Sequence, residues 1–200
     1  MTGTVHIVDD DEAIRDALSF LLASRGLTAR TWESGEAFLA AQPIEDCVCI
    51  ILDVRMGGIS GPDLFQQLQG RTLSAPVIFL TGHADVALAV EALKSGAFDF
   101  LEKPFNDNQI VDLVLRAIEA HDAAEAEAAL HRDITTRRAT LSAREEEVMA
   151  LMLSGALNKQ IADSLNIAMR TVEVHRGRVL AKMGARNGIE LAMMLAEQRR

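Results

Sequence analysis

The chain has 200 residues, of which 49% are hydrophobic and 24% charged, so it is long and apolar enough for one or two folded domains and is not a disordered chain. It contains no run of about 18 apolar residues, and its N-terminus lacks a basic segment followed by an apolar one, so we expect no membrane span, no signal peptide and a cytoplasmic location. The net charge of −9 is uneven, since residues 1–138 carry 11 basic and 22 acidic side chains and residues 139–200 carry 9 and 7, which indicates two domains with different partners.

Strands and helices are predicted to alternate through residues 1–121. The predicted strands are 4–8, 28–32, 47–52, 76–80 and 98–101. The first predicted helix has apolar residues at helical spacing from Ile14 to Leu22 and is closed by Gly26, and the others run from Ser34 through Leu39, over 63–68, over 84–94 and from about 106. The run 47–52 is apolar without a break, which is typical of a central parallel strand covered on both faces. The alternation predicts an α/β doubly wound fold with a five-stranded parallel sheet.

The only two cysteines, Cys47 and Cys49, fall on the third predicted strand. Two residues apart on a regular strand, they point to the same side, which is a poor geometry for an unstrained disulfide. With no third cysteine in the chain a metal site is disfavoured, and we predict two buried core thiols.

Polar residues stand where four of the predicted strands end. The first strand ends at Asp9 and Asp10, the third at Asp53, the fourth at Thr81 and the fifth at Lys103. The carboxyl ends of parallel strands share one edge of the sheet, where ligands bind, so these side chains are expected to meet. Three carboxylates need a cation, and Mg²⁺ prefers oxygen ligands. Such a site suits phosphoryl transfer: Mg²⁺ and Lys103 neutralise the phosphoryl oxygens, Thr81 hydrogen-bonds one of them and Asp53 attacks as the nucleophile.

Each of these residues also has a simpler interpretation on its own. Asp9 and Asp10 suit a helix N-terminus, Asp53 and Thr81 suit turns, and Lys103 before a proline suits a surface loop. The joint placement of all five at predicted strand ends favours the phosphoryl-transfer site.

Residues 1–120 resemble the receiver domain of two-component response regulators. The matching segments are Val8-Asp9-Asp10, Asp53 with Met56, Thr81-Gly82-His83 and Glu102-Lys103-Pro104-Phe105. The resemblance implies that a sensor histidine kinase phosphorylates Asp53. It also implies that Mg²⁺ is bound by Asp10, Asp53 and the main-chain carbonyl of Arg55, with Asp9 assisting.

The same resemblance implies a switch pair, Thr81 and Phe100, in which the ring turns inward as Thr81 moves toward the phosphoryl group. Phenylalanine in place of tyrosine at 100 removes a hydroxyl group from that response. The family usually has proline after the methionine, whereas Gly57-Gly58 follows Met56 here. Two glycines lose more conformational entropy on ordering than Pro-Gly, so a more mobile loop is expected beside the acceptor.

Residues 122–138 are predicted to form a helical linker, because the segment is rich in alanine and glutamate and contains neither glycine nor proline. A thin heptad-like stripe runs into it, formed by Ile110, Val114, Ala117, His121, Ala124, Ala128 and His131. Two interpretations remain open: a semi-rigid helical spacer, which we favour, and a coiled coil that forms on dimerisation.

Residues 139–200 are predicted to form a small all-α domain with a helix-turn-helix. Ser142-Ala-Arg-Glu145 is a capping box for a helix that Gly155 ends, and Asn158 is placed to cap a second helix through Leu165, with Asn166 as a left-handed stop. The third and fourth helices are expected over 169–183 and 187–197.

The third of these helices has one apolar face, with Val172, Val179 and Met183, and an opposite face that carries Val174 and Gly177. An exposed valine and a helix-interior glycine are both explained if that face enters the DNA major groove. The predicted DNA contacts are Lys159, Arg170, Thr171, Glu173, Val174, His175, Gly177, Arg178 and Lys182, with Lys159, His175 and Lys182 placed for phosphates, Val174 for a thymine methyl group, Glu173 for cytosine and Arg178 for guanine or phosphate.

Residues 141–183 resemble the LuxR/NarL-type output domain through Leu141-Ser-Ala-Arg-Glu145, Asn158-Lys-Gln-Ile-Ala162, Arg170-Thr-Val-Glu-Val-His175 and Ala181-Lys-Met183. The whole arrangement is similar to response regulators of the FixJ type. It implies a transcription regulator in which phosphorylation promotes homodimerisation and binding to double-stranded DNA, with RNA polymerase as a further candidate partner. Ala168 stands where the family often has a serine that caps the recognition helix, a loss of about 1 kcal/mol.

Two other functions are kept beside this one. The tail carries a net charge of only +2, and DNA-binding domains are usually strongly basic, so an adaptor whose tail binds protein stays open. A phosphatase that works through an aspartyl-phosphate would need a substrate pocket and an additional acid or base. The sequence indicates neither, so we predict that the protein is not an enzyme.

Overall fold

The computed structural model describes residues 3–41, 44, 46–70, 74–82 and 86–197. The chain divides into two compact units between Ala124 and Glu125. His83 and the first two residues of the predicted 84–94 helix lie outside the described residues. Within the described ranges no helix is both long enough and apolar enough to cross a membrane.

The first unit is a parallel sheet with helices on both faces. Its strands are β1 (Thr4–Val8), β2 (Thr28–Trp32), β3 (Cys47–Asp53), β4 (Val77–Thr81) and β5 (Asp99–Glu102), and its helices are α1 (Glu12–Ser24), α2 (Gly35–Ala40), α3 (Gly61–Gln69), α4 (Val86–Lys94) and the start of α5 (Asp107–Ala139). The strand order is β2-β1-β3-β4-β5, with every neighbouring pair parallel. The predicted doubly wound sheet is confirmed, and its order reverses between β1 and β3, where such sheets bind ligands.

Three strands end one residue later than predicted. β3, β4 and β5 close with Asp53, Thr81 and Glu102 themselves. The reason is the ladder, which continues past the apolar runs: the amide of Val54 donates to the carbonyl of Leu80 at 2.9 Å, and the amide of Lys103 donates to that of Thr81 at 2.7 Å. The candidate site residues are therefore part of the sheet or directly attached to it.

Both faces of the sheet carry a closed apolar core, which explains why the central strands are apolar without alternation. Leu22 of α1 and Val114 of α5 belong to the core on one face, and Phe38 of α2 and Leu64 of α3 belong to the core on the other. Ile110, Val114 and Ala117, the first three residues of the heptad-like stripe, are fully buried in the first of these cores. In this part of the helix the stripe is therefore a sheet-packing face and not a free coiled-coil seam.

The two cysteines do not lie on the same side of β3, and that prediction is wrong. The pairing of β1 with β3 shifts between Thr4 and Val5, so that Val48 is the extra residue of a bulge that interrupts the alternation. Cys47 packs in the core with Phe38, and Cys49 packs in the core with Leu22. Both thiols are free and buried, as predicted, and burial raises the pKa of Cys47 to about 12.

The second unit is all-helical. After the end of α5 come α6 (Ala143–Leu153), α7 (Asn158–Leu165), α8 (Met169–Met183) and α9 (Gly188–Glu197). Val148, Ile161, Val179 and Leu191 from these four helices form its core and are completely buried. Ile134 of α5 is completely buried in the same core, although it lies within the predicted linker.

Capping at the helix starts was predicted correctly in part. At α6 the Ser142 hydroxyl accepts from the Glu145 amide at 3.3 Å and the Glu145 carboxylate accepts from the Ser142 amide at 2.8 Å, which confirms the capping box. The prediction that Asn158 caps α7 is wrong, because Leu157 occupies the cap position and the Gln160 side chain satisfies its amide at 2.7 Å. Asn166 is left-handed at φ 51°, as predicted.

A buried ring cluster joins β1 to β2 and α2. The His6 Nδ1 atom accepts a hydrogen bond of 2.9 Å from the Trp32 indole nitrogen, and the His6 ring meets that of Phe38 edge to face. Arg30 lies 4.5 Å from the centre of the Trp32 ring. Burial, only partly opposed by Asp46, lowers the pKa of His6 from 6.5 to about 4, so the folded protein holds this imidazole neutral.

We expect the first unit to lose about 1 kcal/mol of stability between pH 7.5 and pH 5, because the unfolded chain protonates His6 there and the folded chain does not. This contribution is fully present above pH 6.5, falls as the pH drops and levels off near pH 4. Urea unfolding followed by fluorescence of Trp32, the single tryptophan, measures it. His6→Asn keeps an acceptor for the indole and serves as the matched variant. An identical pH dependence in both proteins would contradict the prediction.

Candidate functional site

Three acids and a lysine meet at the carboxyl edge of the sheet. One carboxylate oxygen of each of Asp9, Asp10 and Asp53 lies within 4.8 Å of the others. Asp9 and Asp53 are 1% and 7% exposed, whereas Asp10 is exposed. Of the residues predicted to meet at this edge, the three acids and Lys103 are brought together.

Lys103 holds the two buried acids together. Its ammonium group donates to Asp9 Oδ2 at 2.9 Å and to Asp53 Oδ1 at 2.5 Å. Burial raises the pKa of Asp53, and the opposing effect of Lys103 does not fully cancel it. Burial lowers the pKa of Lys103, but the hydrogen bonds that its ammonium group donates to both carboxylates, together with their negative charges, outweigh burial and keep that pKa above its usual value. The ammonium group therefore offsets part of the repulsion between the two buried carboxylates.

Main-chain and arginine donors fix the orientation of the acids. Asp53 Oδ2 accepts from the Arg55 amide at 2.8 Å, and Asp9 Oδ1 accepts from the Asp11 amide at 2.9 Å. The guanidinium of Arg15 donates to the main-chain carbonyl of Asp9 at 2.8 Å. Arg15 was not among the predicted site residues, and its only signal in the sequence is a basic residue one turn into the helix after the acids.

Gly61 allows α3 to start directly against the end of β3. A Cβ atom at this position would overlap the main-chain carbonyl oxygen of Asp53, and the Gly61 amide donates to the carbonyl of Val54 at 3.1 Å. The sequence predicts a helix over 63–68 but does not identify Gly61 as the residue that lets the backbone approach the acceptor.

The two predicted switch residues lie on neighbouring strands. Phe100 pairs in register with Phe79, and Thr81 pairs with Glu102, so Thr81 and Phe100 project from the same face, two residues apart. Thr81 is completely buried and its hydroxyl donates to the carbonyl of Gly82 at 3.1 Å. Phe100 is half-buried against the core on that face.

The acidic cluster fits a hard divalent cation. It offers carboxylate oxygens from three residues, one of them exposed, and Mg²⁺ is bound by few carboxylates while it keeps several waters. An ion can reach the cluster from solvent at the exposed Asp10, and the buried Asp9 and Asp53 add negative charge to the site. The assignment of the ion to these three residues and to the Arg55 carbonyl stays a prediction.

Helix α8 exposes the face predicted to enter the major groove, which carries Val174 and Gly177 and is called the bare face below. Val172, Val179 and Met183 are completely buried, as predicted, while Val174 is 47% exposed. A Cβ atom on Gly177 would meet no atom within 4 Å, so the surface there is open to a close approach. Of the predicted DNA contacts, His175 is half-buried and the remaining ones are exposed: Lys159, Arg170, Thr171, Glu173, Val174, Gly177, Arg178 and Lys182. Ala168 makes no side-chain cap at the start of α8.

Lys182 has a structural role that its position in the sequence does not indicate. Its ammonium group donates to the Glu145 carboxylate at 2.6 Å and to the Thr140 carbonyl at 2.8 Å, which ties the end of α8 to the start of α6. The lysine, with the Ser142 amide, lowers the pKa of Glu145 to about 2. Its assignment as a phosphate contact stays a prediction.

Two family models match the chain. The response regulator receiver domain matches residues 5–115, and the luxR family of bacterial regulatory proteins matches residues 139–195. The chain therefore belongs to the two-component response regulators, with a receiver domain followed by a LuxR-type DNA-binding domain.

Its relatives over the full length are transcriptional regulators. The chain is 65% identical over 196 residues to the C4-dicarboxylate transport transcriptional regulatory protein DctR of Rhodobacter capsulatus, covering 97% of this chain and 100% of that one. It is 45% identical to the transcriptional regulatory protein FixJ of Rhizobium meliloti, covering 96% and 94% of the two chains. The predicted resemblance to FixJ-type regulators is confirmed.

Solved structures agree with this assignment. The response regulator StyR matches with a TM-score of 0.90 at 33% identity, covering 98% of this chain and 100% of that one. Full-length FixJ from B. japonicum matches with a TM-score of 0.64 at 40% identity, covering 100% and 98%.

We expect Lys103→Met to destabilise the first unit at neutral pH by about 2 kcal/mol, because two buried carboxylates then lack a shared cation. Mg²⁺ should restore part of the loss by taking over the neutralisation. Urea unfolding followed by Trp32 fluorescence, with and without Mg²⁺, measures both effects, and Lys103→Arg, which keeps the charge, is the control. Equal stability of Lys103→Met and the wild type without metal would contradict the prediction.

Proposed function

We propose that a sensor histidine kinase phosphorylates this response regulator on Asp53, and that the modified protein dimerises and binds promoters. The observation that carries the proposal is the meeting of Asp9, Asp10, Asp53 and Lys103 at the carboxyl edge of the sheet. Asp10, Asp53 and the Arg55 carbonyl would hold Mg²⁺, with Asp9 assisting. The ion supplies positive charge next to the phosphoryl oxygens.

The chain's own residues have distinct parts in the transfer. An oxygen of Asp53 attacks the phosphorus atom, the bond to the donor nitrogen breaks, and the phosphoryl group is left as an acyl phosphate on Asp53. Lys103 neutralises a phosphoryl oxygen, and Thr81 donates its hydroxyl hydrogen to another. The short contact between Lys103 and Asp53 supports this assignment, since the cation already lies at the acceptor.

The response is proposed to travel through Thr81 and Phe100 to the face formed by α4, β5 and the first part of α5. These two residues project from the same face of adjacent strands, so a movement of Thr81 toward the acceptor opens space on the side where the Phe100 ring lies. An open groove beside β5, lined by Phe100, Asp112 and Arg116 among others, lies on the surface where we place the dimer contact.

We expect Asp53→Asn to abolish both dimerisation and the gain in DNA affinity, because an amide does not accept the phosphoryl group. The wild type and the variant are treated with acetyl phosphate or beryllofluoride in the presence of Mg²⁺, then compared by size-exclusion chromatography and footprinting. Asp16→Asn, an exposed acid on α1 and away from the proposed dimer face, is the matched control. If Asp53→Asn keeps both responses, the proposed mechanism is wrong.

The second unit is proposed to read DNA with the bare face of α8. The exposure of Val174 and the open space at Gly177 support an approach to the major groove, where Arg178 meets guanine or phosphate. If the two units of a dimer pair like other helix-turn-helix dimers, half-sites lie about one helical turn apart. The alternative, a tail that binds protein, predicts no steep loss of duplex affinity with salt.

We expect Lys159→Ala to weaken binding to all duplexes about equally and to lower the salt slope by about one, since it removes one phosphate contact. Arg178→Ala should cost about 1–3 kcal/mol and relax the sequence preference if its guanidinium reads a base. Fluorescence anisotropy at several salt concentrations measures both. The control is Arg176→Ala, because Arg176 lies on α8 like Arg178 but is half-buried and is not part of the bare face. Equal losses for all three variants would contradict this reading face.

The similarity to DctR supports a proposal for the regulated genes. Because the two chains are 65% identical over their lengths, we propose that this protein regulates genes for C4-dicarboxylate transport. We place it in the cytoplasm, with RNA polymerase as a further partner, and without enzymatic turnover of other substrates. Genome-wide mapping of bound sites with wild-type protein and Asp53→Asn tests the regulated genes directly, and bound sites away from transport genes would overturn this part.

A further inference from the structure

The loop that follows Asp53 contains Gly57-Gly58 at the place where proline usually follows the methionine in this family. The Gly57 amide donates a hydrogen bond of 2.9 Å to Asp10 Oδ2. Asp10 is the exposed member of the acidic cluster and one of the residues proposed to hold the divalent ion. A main-chain donor of this loop is thus bonded directly to a candidate metal ligand.

This bond has a chemical consequence for metal binding. The amide occupies one oxygen of the Asp10 carboxylate and orients the group, which leaves its second oxygen for a cation. Hydrogen-bond partners of ligating carboxylates raise metal affinity because they fix the ligand before the ion arrives. Proline has no amide hydrogen and does not form this bond.

A second acid holds the same loop from α2. Glu36 Oε1 accepts from the Ile59 amide at 2.9 Å. The carboxylate of Glu36 also fills the space that a side chain on Gly58 would need, and Gly58 has φ of 85°, which favours glycine. Hydrogen bonds from the amides of Glu36 itself and of Ile59 lower the pKa of Glu36, so it is ionised at neutral pH. The loop is therefore held on both sides of Gly58.

We propose that the Gly57 amide is a positioning group for the metal ligand Asp10, and that Glu36 is a positioning residue that holds the Gly57-Gly58 loop in place for it. The proposal rests on the metal site of the proposed function and adds two groups to it. In this chain a main-chain donor supplies an orientation of Asp10 that a proline at 57 would remove.

Matched variants separate this role from a general effect on the loop. A Cβ atom on Gly57 would lie 3.9 Å from Asp10 Oδ2, an ordinary contact, so Gly57→Ala keeps the amide hydrogen without a clash. Gly57→Pro removes that hydrogen. At the second position, Glu36→Gln keeps an acceptor for the Ile59 amide, whereas Glu36→Ala removes it.

The experiment measures metal affinity in the full chain. Binding of Mn²⁺ is followed by the loss of the free-ion EPR signal, and Mg²⁺ affinity is obtained by competition. We expect Gly57→Pro to bind the ion about tenfold more weakly than Gly57→Ala, and Glu36→Ala several-fold more weakly than Glu36→Gln. Metal-free unfolding, followed by Trp32 fluorescence, is measured on the same proteins. If Gly57→Pro does not fold, the Glu36 pair carries the same comparison.

The outcomes distinguish this inference from the proposed function. Asp10→Asn should abolish tight binding if the proposed metal site is correct. Affinity that is lost in Asp10→Asn but equal in Gly57→Pro and Gly57→Ala leaves the proposed function in place and overturns the role of the amide. If Gly57→Pro or Glu36→Ala changes the metal-free stability but not the metal affinity, the hydrogen bonds of the loop are structural only, and this result also overturns the positioning role. A wild type that binds neither ion overturns both proposals.

Discussion

The structure of the first unit depends on the pairing of one ammonium group with two buried carboxylates. Asp9 directly follows β1 and Asp53 ends the neighbouring strand β3, and Lys103, from the loop after β5, lies between them. Two buried acids this close would repel strongly without a shared cation, so the site is stable only when the ends of β1, β3 and β5 are all in place. That requirement ties the candidate chemistry to the strand order of the sheet.

The backbone around the acceptor is as constrained as the charges. Gly61 lets α3 begin against the carbonyl of Asp53, and the amides of Arg55 and Gly57 each donate to a carboxylate of the cluster. Gly61, at the start of α3, is needed because it has no side chain, whereas Gly57 contributes its amide hydrogen, which alanine would also supply and proline would not. The acceptor site is thus built from main-chain groups as well as from the acids.

The second unit also contains a lysine that pairs with a buried carboxylate. Glu145 is buried at the start of α6, and Lys182 of α8 pairs with it while Glu145 also completes the capping box with Ser142. The pair attaches the end of α8 to α6, so the orientation of α8 in the unit depends on a buried charge. Because the bare face with Val174 and Gly177 is on α8, its orientation in the unit depends on the same contact.

The sequence by itself determined the alternation of strands and helices in the first unit and the inward face of α8. It also placed the acids, Lys103 and Thr81 at strand ends, because hydrophobic periodicity and position relative to a strand end are local properties. It also determined the family, through short motifs. Only the tertiary structure decided that Cys47 and Cys49 face different cores, since a bulge depends on the partner strand. The same holds for Lys182 on Glu145, for Gly61 against Asp53 and for Glu36 on the Ile59 amide. These contacts join residues distant in the chain or depend on the packing of whole elements, and the pattern of one segment contains no information about them.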